Sequence, residues 1–375
     1  MHIREIVKHT KADFAAGNSV LWKGPPGWAK TAVSLELYAQ LVADAPNEKI
    51  GLCRVFMATQ QDVDATGLPW KSEIECNGKK FTITDPAMPR WYITSEGKPA
   101  CEYDRVLLVM EEWGQGSAET KRAFASVMLE KGVPGFYLPA GSYVLALTNV
   151  DASDGITKEF DFVIGRRSEY TVTPDVTVFL EDFASKPYQY GGKEWTVSPL
   201  MCAFARQRVE TFFESKPKVQ GPWCNPRSAC AADRYMQVLA AQNNGVIPIN
   251  DGGFQAGLEG KIGAPATASL MEFCEFQINL PKYEDVVADP SGTMIPKAAD
   301  QIMLMAYGLA GRTQKEHLGP CIEYMSRKEM PKDMQITYVQ ALLRRDPHLA
   351  YEDAMQAWVA KNASLVTIVG SLVKA

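Results

Sequence analysis

Eight consecutive residues, Gly24-Pro25-Pro26-Gly27-Trp28-Ala29-Lys30-Thr31, have the types and spacing of a loop that wraps phosphate. Gly24 and Gly27 let the backbone curl round phosphate oxygens with no Cβ in the way. Lys30 can reach the terminal phosphates of a nucleotide, and the Thr31 hydroxyl can ligate Mg²⁺. Ala29 stands where the common pattern has glycine. Alanine fits there if that residue already has negative φ at the start of the helix, and that is the expectation. The competing reading is a glycine-proline turn ahead of an ordinary helix.

Such a loop needs a strand before it and a helix after it, because unpaired N–H groups and the dipole of a helix N-terminus attract an anion. Residues 18–23 read as a short buried strand, and 29–43 have helical apolar spacing through Val33, Leu35, Leu37, Leu41 and Val42. A strand over 49–57 then completes a strand–helix–strand crossover, which implies a parallel sheet. A third strand over 104–110 is almost wholly apolar, as suits a strand covered on both faces, and it runs into Glu111-Glu112. In a phosphate-loop ATPase one acidic residue at such a strand end serves Mg²⁺ and its neighbour orients the attacking water. The alternative is a solvated acidic pair.

A helix over 118–130 and a strand over 143–147 follow, the latter ending at Thr148-Asn149. The Asn149 amide can touch both a γ-phosphate and a water; taken alone it reads as a cap on the next turn. Arg166-Arg167 precede a strand near 170–172, and Arg227 opens a later helix. An arginine can stabilise charge on a transferring phosphoryl group, also from a neighbouring subunit. Each arginine taken singly reads as a surface residue.

The rest of the chain sets the frame. Residues 3–15 read as a helix, and 58–100 as an irregular stretch holding a hairpin centred on Asn77-Gly78, a pair suited to the two positive φ values of a type I′ turn. The pattern becomes mostly helical from Leu200, with helices over 200–214, 228–242, 265–276 and 297–309. The glycine-rich residues 244–263 read as a mobile loop or hinge. The expected division is an α/β nucleotide-binding domain over 1–174 with an insertion at about 58–100, a helical lid over 175–260, and a C-terminal helical region over 261–375. With 46% hydrophobic and 22% charged residues in 375, the composition is that of a globular chain. No apolar run approaches the roughly 20 residues of a membrane span, and residues 1–8 lack the apolar core of a signal peptide. The eight cysteines contain no Cys-x-x-Cys pair and the four histidines are dispersed, so reduced thiols in a cytoplasmic protein are expected rather than a metal cluster. A formal charge of −5 argues against a broad nucleic-acid surface.

As an ordered set these features resemble the MoxR branch of the AAA+ ATPases, especially compact forms found in phages and bacteria. The resemblance covers nearly the whole chain. The loop at 24–31 is similar to the family's, in which alanine before the lysine is common; Asp64-Ala-Thr-Gly-Leu-Pro69 resembles its entry to the helix-2 insertion, and Leu129-Glu-Lys-Gly-Val133 with Tyr137-Leu-Pro-Ala-Gly141 its turn before sensor 1. The implied fold is a three-layer P-loop α/β domain with a parallel sheet, followed by an α-helical lid and a C-terminal helical region. The resemblance implies that residues Gly24 to Thr31 bind ATP, that Thr31 and Glu111 serve Mg²⁺, that Glu111 and Glu112 form the Walker B pair, and that Asn149 is sensor 1. Arg166 would be the trans-acting arginine finger, Arg167 its one-residue alternative, and Arg227 sensor 2. Trp28 and Glu111 depart from the family pattern. The implied activity is ATP-driven remodelling of protein partners, von Willebrand A domain proteins among them, by a homohexameric ring. Two other readings remain: a nucleotide-gated scaffold that barely hydrolyses, and a nucleic-acid motor.

Overall fold

The computed structural model describes residues 1–150, 155–214 and 220–362. The last part of the expected C-terminal region and the turn just after Asn149 lie outside the described residues. The chain divides into two compact units, Met1–Pro174 and Asp175–Ala375.

The first unit runs α1 (Ile3–Ala15), β1 (Ser19–Lys23), α2 (Lys30–Asp44), β2 (Ile50–Phe56), α3 (Asp62–Thr66), β3 (Pro69–Cys76), β4 (Lys79–Pro86), β5 (Arg105–Glu111), α4 (Ala118–Glu130), β6 (Gly132–Val133), β7 (Phe136–Tyr137), β8 (Tyr143–Thr148), α5 (Asp161–Ile164) and β9 (Arg167–Thr171). Five strands form one parallel sheet in the order β2-β5-β8-β1-β9. Side chains along a strand alternate between faces, and the core divides accordingly. Val20, Trp22, Leu107, Val109, Leu145 and Leu147 pack with Ile6 and Phe14 of α1 and Leu37 and Leu41 of α2. Their neighbours Leu21, Val106, Leu108, Met110, Val144 and Ala146 pack with Ala65 of α3, Phe124, Val127 and Met128 of α4, and Val163 of α5. Helices thus cover both faces of a parallel sheet, which is the three-layer α/β arrangement the sequence leads one to expect.

Among the described residues the strands β3 and β4 pair only with each other, in register from Pro69↔Pro86 to Cys76↔Lys79. Asn77 and Gly78 both have positive φ, +53° and +74°, as the Asn-Gly pair requires. This hairpin is inserted between the sheet strands β2 and β5.

The second unit is built mainly of helices, the longest being Pro226–Gln242, Ala264–Ile278, Ala299–Arg312 and Lys332–Arg345. They enclose one core that includes Phe204, Phe212, Phe273, Leu304, Tyr338 and Trp358. Two expectations need correction here. The helix expected over 200–214 is broken into Pro199–Gln207 and Val209–Phe212, because Arg208 leaves helical geometry and turns its guanidinium to Asp300 at 2.8 Å. The glycine-rich stretch holds a helix, Gly252–Ile262. Asp251 caps it by accepting from the Gly253 N–H at 2.8 Å, and Phe254, Leu258 and Ile262, four residues apart, are buried on one face. That apolar spacing outweighs a helix-propensity cost of roughly 1 kcal/mol per glycine. Among the described residues no helix is long and apolar enough to cross a membrane.

Candidate functional site

The loop at residues 24–29 leaves the C-terminal end of β1 and enters α2. Its position is fixed from below, since the Gly24 N–H donates to the Thr148 carbonyl at 3.2 Å. A Cβ on Gly24 would stand 3.0 Å from the Cβ of Val172, tighter than side chains normally pack. Gly27 has φ +81°. Trp28, bulky for such a loop, packs against the core on the α1–α2 side, so its ring is partly taken up by the first unit.

Ala29 overturns one expectation. It is left-handed, with φ +58° and ψ +15°, rather than negative in φ. This is the region that favours glycine, and it costs an L-residue roughly 1–2 kcal/mol. Glycine would relieve that strain but lose more entropy on folding. Ala29→Gly is therefore expected to stabilise the chain by a net of about 0.5–1 kcal/mol. A rise in the midpoint of urea unfolding is the expected reading, and a fall would mean that the left-handed geometry is not the one the chain adopts.

The loop lysine reaches across the site. Lys30 Nζ donates to the Gly24 carbonyl at 2.6 Å, the Pro25 carbonyl at 2.9 Å and the Asn149 Oδ1 at 3.1 Å. Asn149 follows directly on β8, whose pairing with β1 sets Thr148 opposite Lys23. Thr31 Oγ1 donates to Glu111 Oε2 at 2.9 Å, from the first turn of α2 to the last residue of β5. The structure therefore brings Lys30, Thr31, Glu111 and Asn149 together, although they come from three parts of the chain.

Glu111 is 5% exposed. Its other oxygen is held by Arg54 of β2, through Nε at 2.8 Å and through a second, shorter contact from the same guanidinium. No local sequence pattern announces this ion pair, whose partners are 57 positions apart. The one available signal was a basic residue inside the otherwise apolar strand Ile50-Gly-Leu-Cys-Arg-Val-Phe56. A buried carboxylate needs a partner, and Arg54 supplies it.

Glu112 is solvent-exposed and, like Ala29, left-handed, with φ +54° and ψ +37°. The turn after it is what holds it so. Trp113 is fully buried, and its indole N–H donates to Glu159 at 2.7 Å. The Gly114 N–H donates to Thr148 Oγ1 at 3.1 Å, and a Cβ on Gly114 would fall 2.3 Å from that oxygen. An outlier held by its surroundings is typical of functional positions.

Glu159 also receives Arg167 at 2.6 Å, and Lys121 of α4 stands 3.9 Å away. Lys121 donates to the Thr157 carbonyl at 2.8 Å and hydroxyl at 2.7 Å. Burial lowers the pKa of its amine, with Glu159 opposing and Arg167 adding to the shift. Arg167 is 1% exposed at its side chain, pairs with Glu169 as well, and lies over the Trp113 ring. Arg166 differs from it. It is half-buried, its guanidinium lies 5.4 Å from the centre of the Phe162 ring, and it lines a cavity of about 330 Å³ with Arg122, Ala125, Ser126, Phe160 and Phe162. Arg227 belongs to the second unit, exposed at the start of the helix Pro226–Gln242, where its N–H donates to the capping Asn225 at 3.1 Å.

Chemically, the first-unit cluster offers amide donors at a helix start, an ammonium group, and a hydroxyl beside a carboxylate. A triphosphate with a divalent cation fits that set: phosphate takes the amides and the ammonium, and a hard cation takes the oxygens. Among the described residues no group of three or more His, Cys, Asp or Glu forms a metal cluster, and all eight cysteines are free thiols.

No family model matches the chain, and no curated protein matches it. Solved structures do resemble it. NtrX from Brucella abortus in complex with ATP is 13% identical, with TM-score 0.31, over 93% of this chain and 68% of that one. The ORC1 protein of Aeropyrum pernix in complex with DNA is 13% identical, with TM-score 0.38, over 93% and 92%. Similarity at that level carries nothing over to the site, which rests on its own geometry.

Proposed function

We propose that the chain is an Mg²⁺-dependent ATPase of the AAA+ class, of the MoxR branch, which assembles with copies of itself and remodels a protein partner. The observation that carries this reading is the pair of contacts joining the loop to two strand ends, Lys30 to Asn149 and Thr31 to Glu111. They set the phosphate-facing groups beside the groups that would act on water and metal. Gly24 to Thr31 cradle the nucleotide. Thr31 and Glu111 would hold Mg²⁺, which would supply neutralisation of charge on the phosphates. Glu112 accepts a proton from the attacking water as its oxygen bonds to the γ-phosphorus and the bond to the β-phosphate oxygen breaks. Asn149 senses the γ-phosphate through the position that Lys30 takes. Arg166 acts on the nucleotide of a neighbouring copy; we choose it over Arg167 because Arg167 is buried and already bound to two carboxylates. Arg227 is assigned as sensor 2, residues 175–260 as the lid, and the hexameric ring and a von Willebrand A domain partner as the assembly and client class that the family resemblance implies.

One observation favours a second reading, a nucleotide-gated scaffold with little turnover. Arg54 occupies an oxygen of the same carboxylate that would serve the metal. Steady-state phosphate release with Mg²⁺, and with the metal chelated, separates the two. Turnover with Mg²⁺ that vanishes on chelation is expected. Nucleotide binding without turnover would leave the scaffold, and absence of both would remove the proposal.

A further inference from the structure

We infer that Arg54 guards the cation site: paired with Glu111, it keeps a divalent cation from binding until a triphosphate is present. The inference rests on the ATPase reading above for what the site holds, and adds the order in which the two ligands enter.

Glu111 has both oxygens engaged. The Arg54 fork takes Oε1, through Nε at 2.8 Å and through Nη2, while Thr31 Oγ1 donates to Oε2 at 2.9 Å. The parallel register sets Phe56, not Arg54, opposite Glu111. Arg54 therefore reaches the carboxylate diagonally, from two residues back on the same face of β2. Its guanidinium lies 5.5 Å from the centre of the Phe56 ring, so ring and carboxylate both hold the fork. A hydroxyl has one proton and two lone pairs. Because Thr31 gives its proton to Glu111, its lone pairs are left for a hard cation. The carboxylate thus orients the group that would meet the cation, and Arg54 orients the carboxylate.

Charge gives Arg54 its second effect. In the cluster that joins Lys30, Thr31, Glu111 and Asn149, Glu111 is the carboxylate, and Lys30 and Arg54 bring two positive charges. Glu111 is buried and the Arg54 side chain is 32% exposed, so water screens these charges only in part. A dication entering alone would add to a local excess of positive charge. A triphosphate reverses that balance, and the same oxygens that attract Lys30 then attract the cation.

The test reads metal binding by the full chain, with paramagnetic Mn²⁺ standing in for Mg²⁺, since both favour octahedral oxygen ligands. Free Mn²⁺ is measured by electron paramagnetic resonance, without nucleotide and with a bound non-hydrolysable ATP analogue. The wild-type chain is expected to take up Mn²⁺ only with the analogue. Arg54→Met, similar in length and uncharged, is expected to bind Mn²⁺ without nucleotide about 10- to 10²-fold more tightly than wild type. That is the Coulomb effect of removing one nearby charge from a dication at a dielectric between those of water and protein. Mn²⁺ alone is also expected to raise the thermal midpoint of Arg54→Met and not that of wild type. Loss of a purely structural counter-ion would lower the midpoint equally with and without metal. Arg54→Lys keeps the charge and is expected to behave as wild type towards Mn²⁺. Arg54→Met combined with Glu111→Gln is expected to lose the new binding. Should Arg54→Met fail to fold, the wild-type and Arg54→Lys measurements decide. Nucleotide-free wild type that binds Mn²⁺ as tightly as the analogue-bound chain, Arg54→Met that binds it no more tightly than wild type, or Arg54→Lys that binds it more tightly than wild type overturns the inference while the ATPase reading stands. Failure of wild type to bind the analogue overturns that reading instead, and the nucleotide-free comparison still scores Arg54.

Discussion

Glu112→Gln is expected to bind ATP as tightly as the parent chain and to hydrolyse it about 10²–10⁴ times more slowly, the range that a general base contributes. The substitution is nearly isosteric. Glu112 is exposed, and its left-handed geometry is imposed by buried Trp113 and by Gly114, for which a side chain has no room. Glutamine can occupy that geometry at similar cost, so the fold and the phosphate cradle persist. What disappears is the carboxylate that takes the proton. Titration with a fluorescent ATP analogue and a phosphate-release assay on the same preparation check both halves of the expectation. An unaltered hydrolysis rate would falsify the assignment of the base.

Lys30→Ala is expected to act twice. The first effect is on binding. Each charge-assisted hydrogen bond from the ammonium to a phosphate is worth about 1.5–3 kcal/mol, so losing two weakens ATP binding by on the order of 10²- to 10⁴-fold. The second effect appears without nucleotide. Lys30 ties the Gly24 and Pro25 carbonyls to the Asn149 amide, and its removal leaves those part-buried acceptors without that donor. A loss of about 1–3 kcal/mol of stability follows. Thermal unfolding with and without ATP reads both. The wild-type chain gains about 2.7 kcal/mol at a ligand concentration 100 times Kd, whereas the variant starts lower and gains almost nothing at the same concentration. A variant that ATP still stabilises as strongly as wild type would remove Lys30 from the phosphate site.

The parts of this architecture legible in the sequence are those set by local pattern. The apolar run before Glu111-Glu112 has the signature of a strand covered on both faces, and β5 is at the middle of the sheet side formed by β2, β5 and β8. The Asn77-Gly78 turn announces its hairpin through backbone geometry alone. The helices Ile3–Ala15 and Ala118–Glu130 fall where their periodicity puts them. The parts that escaped depend on residues distant in sequence or on a choice between local rules. Arg54 and Glu111 are 57 positions apart and meet only because β2 and β5 are neighbours in a parallel register. The left-handed Ala29 breaks the steric preference for negative φ that alanine's Cβ imposes. In the helix Gly252–Ile262, glycine content suggested a loop, while a stripe of Phe254, Leu258 and Ile262 against the core decided otherwise.

Glu159 receives the indole of Trp113 on one oxygen and the guanidinium of Arg167 on the other. Trp113 adjoins Glu112, and Arg167 adjoins Arg166. On the proposed reading, the group that works on a protomer's own nucleotide and the group that reaches for its neighbour's are therefore bolted to a single bracket. On that reading, a change in the turn that carries Glu112 is transmitted through the Glu159 carboxylate to the strand start that carries Arg166.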